Sequence, residues 1–116
     1  MSLEEFYHNI AADYTDVINR FGAETIVKRF VLKFPTDPSF QLLSDALREN
    51  RIEEAFRGAH TLKGICINLG FTKLYETASA LTEILRAGKT EGTEALFSEL
   101  STQYHDLISK IAMLDQ

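Results

Sequence analysis

The chain has 116 residues, 45% of them hydrophobic, which suits one domain with a single core. Lys and Arg total 12 against 17 Asp and Glu; the formal net charge of -5, without a basic cluster, excludes a general nucleic-acid binder. No run of 18 or more apolar residues is present to span a membrane, Met1-Ser2-Leu3-Glu4-Glu5 lacks the basic start and apolar run of a secretory signal, and the single Cys66 cannot form an internal disulfide, so a cytoplasmic protein is expected.

In chain order, Leu3 to Ala12 reads as a short helix with Phe6, Tyr7 and Ile10 on one side, and a second short piece follows from Asp13 to Arg20. Gly22 breaks the pattern. Ala23 to about Phe34 resumes it with Ile26, Val27, Phe30, Val31 and Phe34 at helical spacing. Pro35 disfavours helix at the residue before it, and Asp37-Pro38 reads as an N-cap followed by proline at the first helical position. The helix so started runs to about Glu49 on a seam of Phe40, Leu43, Ala46 and Leu47.

After Asn50 comes the longest informative stretch, about Arg51 to Leu69, with Gly70 as its C-cap. Thr72, supported by Glu76, is expected to cap a helix from Lys73 to about Ala87 whose inner face is Leu74, Ala78, Leu81 and Leu85, with Ile84 beside it. Gly88 and Gly92 frame a polar connection. The last helix, Thr93 to about Leu114, carries Ala95, Leu96, Leu100, Tyr104, Leu107, Ile108, Ile111 and Leu114 along one stripe. No strand pattern, repeat or linker stands out. Short connections between amphipathic helices make neighbours antiparallel, so the expected fold is all-α: an up-down-up-down four-helix bundle over about 37–114, with short additional helices over about 1–36 covering one end or flank, all within one domain of 1–116.

On the central helix Ile52, Ala55, Ala59, Leu62, Cys66 and Leu69 form the buried seam. At about 100° per residue, His60 falls roughly 130° from the centre of that seam and faces water, with Phe56, Arg57, Gly64 and Ile67 near it and Lys63 one turn on. Gly64 is the informative neighbour, because glycine inside a helix costs about 0.8 to 1.0 kcal/mol relative to alanine and a solvent face returns nothing for it. Bare backbone one turn beyond the ring lets a second protein bring a bulky reactive group close. Lys63 places a positive charge where an anion on that ring would sit. These pieces point to a histidine that accepts phosphate. Gly58, nearer the buried side, reads instead as a close helix contact, and Cys66 as a small core residue.

Ala59-His60-Thr61-Leu62-Lys63-Gly64, followed by Leu69-Gly70, resembles the signature of the histidine-containing phosphotransfer (HPt) domain of bacterial and fungal multistep phosphorelays, and the resemblance extends from Phe21 to Leu114. It implies that His60 takes a phosphoryl group from an aspartyl phosphate of a response-regulator receiver domain, including receivers of hybrid sensor histidine kinases, and passes it to another receiver's aspartate. It further implies that Lys63 offsets the charge on phosphohistidine, that Gly64 admits the partner, and that Phe56, Arg57 and Ile67 belong to the docking surface. Thr82 stands where relatives carry a residue that orients the imidazole. The transferring oxygens would be neutralised by magnesium on the receiver, since no carboxylate cluster lies beside His60; this chain itself is expected to need no cofactor or metal and to act as a monomer.

Two other classes compete with this reading. A ferritin-like metal site needs Glu-x-x-His pairs projecting inward, whereas Arg57 stands three residues before His60 and only Glu5 and His8 have that spacing. A helical adaptor or dimerisation module without chemistry would need neither His60 nor the residues that attend it. With no glycine loop for ATP, the chain is expected to be a phosphocarrier and not an independent kinase.

Overall fold

The computed structural model describes residues 1–115, and among them seven α-helices and one 3-10 turn are the only regular elements. They are α1 (Leu3–Asn9), α2 (Tyr14–Phe21), α3 (Glu24–Lys33), the 3-10 turn Phe34–Thr36, α4 (Ser39–Arg48), α5 (Ile52–Leu69), α6 (Thr72–Arg86) and α7 (Thr93–Ile111). The expected all-α fold is what forms.

Local chemistry sets most of the boundaries. Ser2 accepts from the Glu5 amide while the Glu5 carboxylate accepts from the Ser2 amide, a reciprocal capping box at α1. The Asp13 carboxylate accepts from the Asp16 amide at 2.9 Å and starts α2. Asp37, in extended backbone, accepts from the Ser39 amide at 2.8 Å, with Pro38 already in helical conformation between them. At the end of α5, Gly70 adopts φ 73°, and the Phe71 amide reaches back to the Cys66 carbonyl at 2.9 Å. A side chain at Gly70 would also strike Val17, whose Cγ2 lies 2.5 Å from the Cβ position.

Two expectations at helix ends are corrected. Thr72 is the first residue of α6 and not its cap; its hydroxyl donates to the Gly70 carbonyl, so no capping box with Glu76 forms. The last helix ends at Ile111, and the chain then turns so that Leu114 still reaches the core.

α4, α5, α6 and α7 pack in sequence as antiparallel neighbours, α4 on α5, α5 on α6 and α6 on α7. The ring closes between α4 and α7, where Phe40 stacks on Tyr104 with centroids 3.9 Å apart and planes 4° from parallel, and on Phe97 at 5.5 Å. α4 and α5 approach closely at Gly58, where a Cβ would lie 3.1 Å from the Leu43 backbone nitrogen. Ala55, Ala59, Leu62, Cys66 and Leu69 are all buried, as are Leu74, Ala78, Leu81 and Leu85 opposite them. The inward stripe of α7 is shorter than its sequence suggests, because Ala95 is exposed.

The N-terminal helices pack where α5 turns into α6. Phe6 and Tyr7 are fully buried and pack against Phe71, and the Tyr7 hydroxyl donates to the Leu69 carbonyl at 2.7 Å. Arg20 donates to the carbonyls of Ile67 and Asn68 at 2.6 and 2.8 Å while paired with Asp16. A guanidinium there satisfies carbonyls that the helix leaves open and complements the negative end of its dipole. On α3, Val27 and Val31 are buried, but Phe30 turns outward at 47% exposure and packs on Phe21. α5 is thereby held along its sides by α4 and α6 and at its C-terminal end by α1 and α2.

Candidate functional site

His60 lies near the midpoint of α5 and is exposed, whereas Ala59 before it is fully buried. The alanine brings the α5 backbone close to its neighbours and the next side chain therefore projects from the bundle wall. Nothing lies within 4 Å of where a Cβ on Gly64 would sit, so the backbone one turn beyond the ring is open to an approaching molecule.

Lys63 is half-buried, three residues from His60 on the same helix, and forms no ion pair among the described residues. The other cations of this region are engaged. Arg57 is exposed and pairs with Glu53 at 2.8 Å, and Arg86 pairs with Glu83 at 3.4 Å. Ile67, two turns beyond His60, is 47% exposed.

Phe56 is half-buried against the core, with its ring stacked on the His60 imidazole at a centroid distance of 5.6 Å and an interplanar angle of 28°. The Arg86 guanidinium carbon lies over the Phe56 ring, 5.0 Å from its centroid. Sequence reading misses Arg86. The signal for it is the turn at Gly70, which folds α6 back along α5 and brings the end of α6 beside the first turns of α5.

Thr82 corrects an expectation. It is fully buried, and its hydroxyl donates to the Ala78 carbonyl at 2.7 Å on its own helix. No hydrogen bond joins it to the imidazole among the described residues. A buried threonine inside a helix satisfies its hydroxyl on the carbonyl four residues back, as Thr82 does here.

Burial pushes the Cys66 thiol well above its ordinary range, and the thiol lies inside the α5 seam, away from the exposed face. Among the described residues no three His, Cys, Asp or Glu side chains gather into a metal-binding group, and no helix is long and apolar enough to cross a membrane. One open groove, about 550 Å³, lies between α1, α6 and α7, lined by residues such as Asn9, Glu76, Gln103 and Lys110, another of about 690 Å³ lies between α1 and α2, and His60 lines neither. The imidazole projects from the exposed face of α5, outside both grooves.

A family model for the Hpt domain matches residues 35–110, which takes in the end of the 3-10 turn, α4, α5, α6 and nearly all of α7. No curated protein and no solved structure matches the chain. The matched segment carries the exposed histidine, the open glycine and the helical bundle together, and the chain belongs to the Hpt domain family, the phosphotransfer modules of two-component phosphorelays.

Proposed function

We propose that His60 is the phosphoacceptor of a phosphorelay, taking a phosphoryl group from a receiver-domain aspartyl phosphate and passing it to another receiver's aspartate. The observation that carries this reading is the exposed imidazole with open backbone at Gly64 beside it. In the forward step the ring nitrogen that bears no proton attacks phosphorus. The bond from phosphorus to the aspartate oxygen breaks, the carboxylate leaves with the electron pair, and the other ring nitrogen keeps its proton. Lys63, free of carboxylate partners among the described residues, offsets the added charge.

The chain's contribution is presentation, and the receiver supplies the phosphoryl donor and the magnesium that neutralises the transferring oxygens. Ile67 and the edge of Phe56 form the apolar part of the docking surface, with Arg57 at the rim. The chain acts as a phosphocarrier in the cytoplasm, as one monomeric unit. Incubation with a phosphorylated receiver tests the reading: label moves to the wild type and not to His60→Gln, whereas equal labelling of both, or of neither by any cognate receiver, removes it.

A further inference from the structure

We infer that Phe56, braced by Arg86, is the positioning residue that sets the plane of the His60 imidazole, in place of a hydrogen bond from α6. The inference rests on the reading of His60 as the phosphoacceptor. An exposed histidine is free to rotate about a broad, roughly two-fold terminal torsion, so a ring that must meet phosphorus in line needs something to limit it. Thr82 on α6 does not serve, because its hydroxyl is spent on the Ala78 carbonyl and the side chain is fully buried. No hydrogen bond to either nitrogen of His60 is formed among the described residues.

The aromatic neighbour of the ring is Phe56, one turn earlier on α5, stacked with centroids 5.6 Å apart and planes at 28°. Phe56 is itself fixed, because one part is buried against the core and the Arg86 guanidinium lies over its ring at 5.0 Å, tethered to Glu83. A face contact of this kind fixes the plane and leaves the ring edge, which holds both nitrogens, open to the partner. It also leaves the tautomer free, since neither nitrogen is committed. Phe56 thus acts through His60 as well as lending its edge to the docking surface, and Arg86 gains a role that its place at the end of α6 does not announce.

The test compares Phe56→Leu, Phe56→Tyr and Arg86→Gln with the wild type in two independent measurements. In NMR spectra of the protein alone, the His60 ring protons of the wild type are displaced upfield by the Phe56 ring current. The displacement disappears in Phe56→Leu, returns in Phe56→Tyr and is reduced in Arg86→Gln. In single-turnover transfer from a phosphorylated receiver, Phe56→Leu lowers the rate at saturating receiver about tenfold with a smaller change in the receiver concentration at half-saturation, and Phe56→Tyr restores it. His60 proton shifts that do not respond to Phe56→Leu overturn the inference, as does a loss confined to receiver affinity, which assigns Phe56 to docking alone. The NMR arm needs no receiver, so its failure leaves the phosphoacceptor reading intact, while absence of transfer to the wild type defeats that reading without touching the stack.

Discussion

Gly58 and Gly64 lie on the same helix and meet opposite surroundings: a Cβ at Gly58 would come within 3.1 to 3.2 Å of the Leu43 backbone and side chain, and one at Gly64 would meet nothing within 4 Å. The first glycine serves the α4–α5 contact. The second serves no packing at all, and the reason for it lies outside the molecule.

Substitutions at the two positions are therefore expected to separate folding from transfer. Gly64→Gln leaves the fold intact and raises stability by up to about 0.8 kcal/mol, because a helical glycine is replaced without a clash. Transfer is blocked by the side chain standing beside His60. Thermal melting and single-turnover labelling check both halves, and unchanged transfer in a folded Gly64→Gln contradicts the access argument.

Gly58→Val is expected to do the reverse. Its methyl groups meet α4 backbone that cannot rotate away, at a cost of roughly 2 to 3 kcal/mol read as a lower denaturation midpoint. Molecules that remain folded still accept phosphate at His60. A stability equal to that of wild type would show that α4 and α5 can separate freely.

Lys63→Ala removes a cation that has no carboxylate partner among the described residues, so no buried charge is orphaned and the melting temperature stays within about 1 °C. Slower transfer or a shorter phosphohistidine lifetime, by about two- to fivefold, follows from the loss of a partly exposed charge interaction. The lifetime is read by the decay of acid-labile label after removal of the receiver, and no change in either quantity counts against the charge role.

Alkaline pH is expected to weaken the fold through two buried acids. Burial pushes both the Tyr7 hydroxyl, against the opposing pull of Arg20, and the Cys66 thiol upward, so each binds its proton more tightly in the folded than in the unfolded chain. That contribution is complete below the unfolded-state values, about 8.5 for a thiol and about 10 for a phenol, and falls as pH rises through and above them. Melting temperatures flat from pH 7 to 8 and declining above about pH 9 check the sign. In the native protein at pH 7.5, Cys66 should react with a thiol reagent only as fast as the chain unfolds.

Much of this molecule is legible in its sequence because helical periodicity reports burial on a single helix. Ala55, Ala59, Leu62, Cys66 and Leu69 carry their own three-and-four spacing and all five are buried, whereas Ile52, the sixth residue of that seam, is only half-buried at the first turn of α5. The same spacing leaves His60 outside, and Gly70 announces the end of α5 through the left-handed conformation it alone adopts cheaply. Relations between helices are not written in that spacing. Arg86 meets Phe56 only because α6 folds back along α5 in one register, and Thr82 misses His60 because its own helix offers a nearer acceptor. Phe30 has the spacing of a core residue yet faces outward, since α3 is narrower in contact than its apolar pattern is wide. Thr72 fails as a cap for a similar reason: the tight turn from Gly70 draws its hydroxyl to a carbonyl and away from the α6 amides.

The role of His60 is read out by mass-spectrometric mapping of the phosphorylated residue after exposure to a labelled receiver aspartyl phosphate. An acid-labile phosphoryl group is expected on His60 alone, carried onward when a second unphosphorylated receiver is added, and none on the folded His60→Gln protein. Phosphate on His8 or His105, or transfer that survives the loss of His60, would contradict it.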